Sequence, residues 1–224
     1  MGLKILHEDA TLLVVDKPAG LTVEQVGELL KKQFPELEKL GEERRYGIVH
    51  RLDKDTSGVL LAAKTKEEFE ELQGQFANRQ VEKHYTCLVE GTVSQDKGVI
   101  HTLLARSPAD RRKQRAYPLQ EQRVGRREAI TEWQVLQRFG TFTLLQVTPK
   151  TGRKHQIRAH MASMGHPVAG DKLYGFKNQQ IPQGLTRQFL HASSLKIGNA
   201  EFSAELAEDL KKVLEKLQSN DNAY

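Results

Sequence analysis

The sequence predicts an α+β fold on a mixed, mainly antiparallel β-sheet flanked by helices. Two observations predict it. Strand-like segments come in runs with few helices between them, where a doubly wound fold would alternate the two. Short turn signals close those runs, such as Gly140 between two alternating segments, as antiparallel neighbours require. The 224 residues show no internal repeat and no low-complexity linker, so the chain reads as one domain over 1–224 with room for a sizeable core.

Taken in order, strands are expected at 3–6 and 11–15 around a polar turn, and Lys17-Pro18-Ala19-Gly20 breaks the second. Residues 24–33 carry Val26, Leu29 and Leu30 at helical spacing and stop before Pro35. A strand at 59–63 follows, then a helix from Thr65 with Phe69, Leu72 and Phe76 on one face and Thr65 and Glu68 placed as a capping box. Further strands are expected at 81–89, 98–104, 129–137 and 141–148. The stretch 106–127 interrupts them with little apolar periodicity and reads as a long loop or extended hairpin. A short helix at 154–164 turns Ile157, Met161 and Met164 inward, and a strand at 189–197 and an amphipathic helix at 204–217 close the series.

Apolar residues make up 38% of the chain and charged residues 28%, values of a soluble globular protein. No apolar run approaches the roughly 18 residues of a membrane span. The first residues lack the apolar core of a signal peptide, and Leu6 stands where a myristoylation pattern needs Ser or Thr. A single cysteine, Cys87, excludes an internal disulfide and fits a cytoplasmic protein.

Net charge is +5, with a pI near 9.2, and its distribution says more than its size. Between 106 and 127 lie Arg106, Arg111, Arg112, Lys113, Arg115, Arg123, Arg126 and Arg127 against Asp110 and Glu121, a local excess of +6. Residues 201–221 instead hold six acids against three lysines. One face is therefore expected to be strongly positive, as a phosphate-backbone footprint would be.

Three clusters carry candidate chemistry. In HRLDKDTSGVLL (50–61), Asp53 stands directly before a turn and an apolar strand. Asp caps such turns often, but a charge at the mouth of a buried strand costs free energy unless it is used. In VEKHYTCLVEG (81–91), alternation puts Lys83, Tyr85 and Cys87 on one face. Tyr85 fits a core aromatic with a satisfied hydroxyl, or a ring that stacks on a nucleobase and a phenol that moves a proton. The third, 148–175, brings Lys150, Arg153, Lys154 and Arg158 together within nine residues that hold no acid.

Arg153 and Lys154 suit a solvated basic face. Arg158, beside the inward Ile157 and Met161, is expected near the core boundary, where a guanidinium needs a carboxylate. Asp53 is the expected partner, since an adjacent guanidinium favours an ionised carboxylate, as a nucleophile or base requires. No phosphate-binding glycine loop, dinucleotide fingerprint, H-E-x-x-H or P-C-x-x-C pattern is present, so no cofactor and no metal are expected.

These residues resemble the signatures of the RluA family of pseudouridine synthases. His50-Arg51-Leu52-Asp53-x-x-Thr56-Ser57-Gly58 matches its first motif, Lys83-x-Tyr85 with Leu88-Val89-Glu90-Gly91 its tyrosine strand, and Thr151-Gly152-Arg153-x-His155-Gln156-Ile157-Arg158 its third. Gly165-His166-Pro167, Gly170-Asp171-x-x-Tyr174-Gly175, Asp16-Lys17-Pro18-Ala19-Gly20 and Leu190-His191-Ala192 fit as well. The resemblance implies two lobes around a basic central cleft, and a redox-neutral isomerisation of uridine in RNA that moves the glycosidic bond from N1 to C5.

By the same resemblance Asp53 is the catalytic carboxylate, with attack on the sugar, attack on the base and removal of a ribose proton all open. Tyr85 would stack on the uracil and help remove the C5 proton, although an unperturbed phenol, pKa about 10, is a poor base. Arg158 would pair with Asp53, and Arg51 would enter the RNA stack as the target flips out. Ile157 and Leu190 would support the base pocket. The segment 105–128 would grip phosphates through Arg106, Arg111, Arg112, Lys113 and Arg115, with Arg153, Lys154 and His155 adding to the RNA surface.

Many relatives have Thr where Lys154 stands, and many carry an N-terminal S4 domain for which the early start of the motifs leaves no room. Selection of a ribosomal or transfer RNA stem-loop would then rest on the catalytic domain, with no obligate protein partner. A non-catalytic RNA-binding or ribosome-assembly factor of the same fold is the alternative, and a hydrolase freeing the base is a second.

Overall fold

Runs of apolar residues buried on both faces organise the chain. The computed structural model describes residues 2–221. Its elements are Lys4–Glu8 (β1), Leu12–Lys17 (β2), Val23–Gln33 (α1), Ser57–Ala63 (β3), Lys66–Ala77 (α2), Glu82–Glu90 (β4), Lys97–Arg106 (β5), Gln114–Tyr117 (β6), Arg127–Phe139 (β7), Phe142–Pro149 (β8), Gln156–Ser163 (α3), Leu190–Ile197 (β9), Ala200–Ser203 (β10) and Glu208–Asp221 (α4). They divide into two units, one of residues 2–83 with 191–207 and one of residues 84–190 with 208–221. This is the expected α+β class with mainly antiparallel pairing.

In the first unit β2 pairs antiparallel with β1 and β3, and β10 with β9, while β3 and β9 run parallel. β3 is buried throughout because its apolar side chains have a packing partner on either face. The core joins Val14, Val59, Leu61, Leu72 and Leu195, with Phe69 and Phe76 of α2 against it. Gly58 sits at φ 114, and a Cβ there would lie 2.1 Å from the Ala192 carbonyl oxygen, so the parallel β3–β9 approach requires glycine. Behind it the Ser57 hydroxyl lies 2.9 Å from His191 Nδ1, and His191 Nε2 lies 3.3 Å from the Ala204 carbonyl. A carbonyl only accepts, so Nε2 carries a proton toward it.

The capping box forms elsewhere than expected. Thr65 caps α2 through the Glu68 N–H, without the reciprocal bond from the Glu68 side chain. The reciprocal box is at α1, between Thr22 and Gln25.

In the second unit five strands stand in the order β4-β8-β7-β5-β6, all antiparallel. Cys87, Val89, Trp133, Leu145, Val147, Met161 and Val168 form the core. α3 is seated on polar contacts as well. Gln156 Nε2 donates to the Ile130 carbonyl and to Thr131 Oγ1, both at 2.9 Å, and its Oε1 accepts from the Thr151 hydroxyl at 2.7 Å. His160, fully buried, lies between Thr131 and Thr102 hydroxyls at 2.8 and 3.0 Å. At the other end, Arg187 forks onto the Asp209 carboxylate of α4 at 2.6 and 2.9 Å.

The expected elements are all present, and of the two readings of 106–127 its start takes the hairpin, because β5 continues to Arg106 and returns as β6. Two features differ. α3 starts at Gln156 because His155 takes a left-handed conformation, φ 54. β10 was unexpected; Gly198-Asn199 makes the two-residue turn from β9, and Ala204 N–H then bonds the Ser193 carbonyl, delaying the last helix to Glu208.

Burial pushes the His160 imidazole down to about 4, whereas an unfolded histidine titrates near 6.5. Between these values the unfolded chain binds the extra proton, so stability is complete above about pH 6.5 and falls as pH drops through that window, by up to ~1.4 kcal/mol per pH unit for this group. Urea midpoints measured from pH 7 to 4 should decline, and His160→Gln should flatten the slope; an equal slope in the variant would remove His160 as the cause.

Candidate active site

Asp53 opens a turn whose shape is set by the backbone. Thr56 N–H donates to the Asp53 carbonyl at 3.1 Å, leaving Lys54 and Asp55 at the tip, and Thr56 and Ser57 are buried as β3 begins. What holds this turn is Lys17, at the end of β2. Its side chain is 0% exposed, and Nζ donates to the carbonyls of Pro18, Leu21 and Lys54 at 2.8, 2.8 and 3.0 Å. Gly20 N–H donates to the same Lys54 carbonyl at 2.9 Å. A buried ammonium is tolerated only where acceptors replace water, and here they are the carbonyls of the loop after β2 and of the turn carrying Asp53.

His50 fixes the other side of that segment. Its Nε2 accepts the Leu61 N–H at 3.0 Å and its ring stacks on Phe76 at 4.8 Å. Burial, with the Lys83 charge, pushes this imidazole down to about 3, so it is a neutral acceptor. Arg51 is exposed, as a group reaching for an external partner must be. Its charge also helps to lower the Glu24 carboxyl, after the Glu24 N–H at the start of α1, Thr22 and Arg45.

In the second unit Tyr85 packs, half-buried, against the cluster that contains Ile157, Leu190, Met161 and Val147. The predicted aromatic and its two predicted apolar supports thus share one patch. Arg158 on α3 is buried, with Nε and Nη2 donating to Asp171 Oδ2 and Oδ1 at 2.6 and 2.9 Å. Burial pushes the Asp171 carboxyl up, but the Arg158 guanidinium and the Tyr174 and Leu173 N–H groups outweigh it and hold it below the usual range. The carboxylate that Arg158 needs inside its own unit is therefore Asp171, a residue whose role the sequence reading left unassigned.

Tyr174 joins this pair to the basic hairpin. Its ring lies 5.1 Å from the Arg158 guanidinium, and its hydroxyl accepts the Gln114 N–H of β6 at 2.6 Å. His155 reaches the same hydroxyl through Nδ1 at 3.1 Å, so its role is in part to brace Tyr174. Arg153 Nε donates to the Glu128 carbonyl at 2.9 Å, and Lys154 is exposed.

The basic segment sorts into paired and unpaired cations. Arg112 forks onto Asp110, and Arg126 binds Glu121 while stacking 3.7 Å above the Tyr117 ring. The two acids of the segment are thereby used up. Among the described residues Arg106, Arg111, Lys113, Arg115, Arg123 and Arg127 make no ion pair, and all but Lys113 are exposed. Six uncompensated cations around one hairpin and its following loop form a surface suited to a phosphate backbone.

Known proteins bear on this arrangement. The family model for RNA pseudouridylate synthase matches residues 11–163. An uncharacterized RNA pseudouridine synthase of Aquifex aeolicus is 42% identical over 82% of this chain and 59% of its own length. One of Bacillus subtilis is 38% identical over 98% of this chain and 74% of its own, and the ribosomal large subunit pseudouridine synthase D of Nitrosomonas europaea is 40% identical over 87% and 58%. The chain thus spans about 60% of the length of several of these relatives. The structure of human RNA pseudouridylate synthase domain containing 4 superposes with a TM-score of 0.75 at 25% identity, covering 96% of this chain and 93% of that one. The match runs through the Asp53 turn, the Tyr85 strand and the Arg158 helix alike, and on that footing the chain belongs to the RNA pseudouridylate synthase family.

Proposed function

We propose that the protein isomerises uridine to pseudouridine in large-subunit ribosomal RNA, with Asp53 as the catalytic carboxylate and Tyr85 and Arg158 as its partners. The observation that carries this is the clamp of Lys17 on the Lys54 carbonyl, which spends a buried charge on holding the turn that presents Asp53. Family membership supports the reaction class, and the relatives named for the large ribosomal subunit support the substrate.

The isomerisation breaks the bond from C1′ to N1, forms one from C1′ to C5, gives up the C5 proton to solvent by way of a base, and leaves N1 protonated in its place. Each step has a residue suited to it. Asp53 provides an oxygen at a fixed turn, close to a glycosidic carbon or its sugar proton. Tyr85 offers a ring for the extruded uracil and a phenol near C5, on the Ile157–Leu190 patch. Arg158, anchored by Asp171, would pair with Asp53 and so keep the carboxylate ionised. Arg51 would fill the gap left in the RNA stack, and the six unpaired cations would hold the backbone on either side.

Tritium release from 5-tritiated-uridine large-subunit RNA tests the assignment. Asp53→Ala should cut release by at least about 10³-fold while RNA affinity stays within about threefold; RNA bound with no release by the wild type would instead indicate a binding factor, and free uracil a hydrolase. Replacing Arg111, Lys113, Arg115 and Arg127 by Gln should lower the slope of log K against log salt by roughly 3, whereas Arg112→Gln alone should change it by less than about 0.5. An equal loss from the paired and unpaired arginines would take this surface out of the RNA interface. Asp171→Asn should destabilise the fold by about 3 kcal/mol, because Arg158 then remains buried without its carboxylate; a melting temperature equal to wild type would refute that pairing as the anchor.

A further inference from the structure

One cation close to the candidate site in sequence has no assigned work. Lys83 lies two residues before Tyr85 on β4, on the same face by strand alternation. Its Nζ stands 5.8 Å from the centroid of Phe76, and Phe76 in turn stacks on His50, three residues before Asp53. The side chain is half-buried. Among the described residues Nζ makes no hydrogen bond and no ion pair, and it is absent from the buried polar atoms that lack a partner, so its tip keeps contact with solvent.

Burial lowers this ammonium, and among the described residues no carboxylate opposes that shift. The contrast with Lys17 is informative. Both lysines lose water, but Lys17 recovers three carbonyl acceptors and Lys83 recovers a ring face only. A ring face offsets part of a desolvation cost and leaves three N–H donors aimed at whatever arrives. His50, whose titration the Lys83 charge affects, is neutral and adds no repulsion.

We propose that the Lys83 ammonium is an anion subsite that takes a backbone phosphate of the RNA strand beside the target nucleotide. The ligand class follows from the chemistry: a monoanionic, strongly accepting group supplies the charge and the acceptors that the protein withholds. The proposal rests on the protein being an RNA-binding synthase, and its test separates the two. Phe76 and His50 act as the platform for the cation, which ties phosphate capture to the segment that carries Arg51 and Asp53.

Binding is measured in the Asp53→Ala background, where no turnover intervenes, with an unmodified in vitro transcript of large-subunit ribosomal RNA across a salt series. Lys83→Met should weaken binding about fivefold and lower the salt slope by about 0.7 to 0.9, one phosphate contact. Lys83→Arg should restore both to within about twofold. Lys83→Met should melt no more than about 2 °C below its parent, since it removes a desolvated charge and keeps the stem on Phe76; Lys83→Gln serves if the Met variant fails to fold. An unchanged salt slope overturns the proposal, as does a lower melting temperature together with failure of Lys83→Arg to recover the slope, the signature of a packing role. Loss of the slope in a protein whose wild type releases no tritium would sink the synthase assignment and keep the subsite.

Discussion

Lys17 is the constraint on which the first unit's chemistry depends. An ammonium with no water around it carries a penalty of several kcal/mol unless its donors are met. All the acceptors described for it are main-chain carbonyls, from Pro18, Leu21 and Lys54. Main-chain acceptors cannot swing away as side chains can, so the lysine fixes the path of two loops at once. The Gly20 N–H on the same Lys54 carbonyl adds a second donor to that joint. Gly58 then closes the turn from the other end, since its backbone presses on Ala192 with no side chain between. Asp53 is held between two points where the chain has little freedom.

The second unit reaches the same end by different means. α3 has only eight residues, too short to be stable by itself, and it depends on Gln156 and His160 threading into the hydroxyls of Thr131, Thr151 and Thr102. Arg158 projects from this braced helix, and Asp171 fixes two of its nitrogens. Tyr174 then connects the arginine to β6. A chain of short contacts thereby runs from the basic hairpin to the arginine within one unit, while the carboxylate on the other unit is set by Lys17.

Much of this could be read before any coordinates, and the reasons are local. Strands with two buried faces, α1 and α2 with their apolar stripes, and the Asp53 turn are encoded within a dozen residues each. The motifs naming Asp53, Tyr85 and Arg158 are specific in spacing. What escaped was non-local or looked ordinary. Asp171 lies thirteen residues beyond Arg158, past a helix end and a turn, so periodicity could not pair them. Lys17 read as a break after a strand, although a lysine closing an otherwise apolar run was the available sign. The signal for β10 is Gly198-Asn199, a two-residue hairpin turn, but its four residues are too few to show alternation. The basic stretch lacks apolar periodicity because β6 has only four residues, of which Arg115 is exposed and Tyr117 alone is buried.

β6 stands last in the order of its sheet, where a strand edge is a template for pairing with another strand; Tyr174 already takes one of its donors, the Gln114 N–H. Arg115 on that strand, with Arg111 and Lys113 in the turn before it, makes such an approach one of like charges. The cations suited to holding a nucleic acid therefore also set like charge against like charge in any edge-to-edge approach of two copies. Neutralising them to study RNA affinity removes a solubility device at the same time, and sedimentation of each variant belongs beside its binding curve.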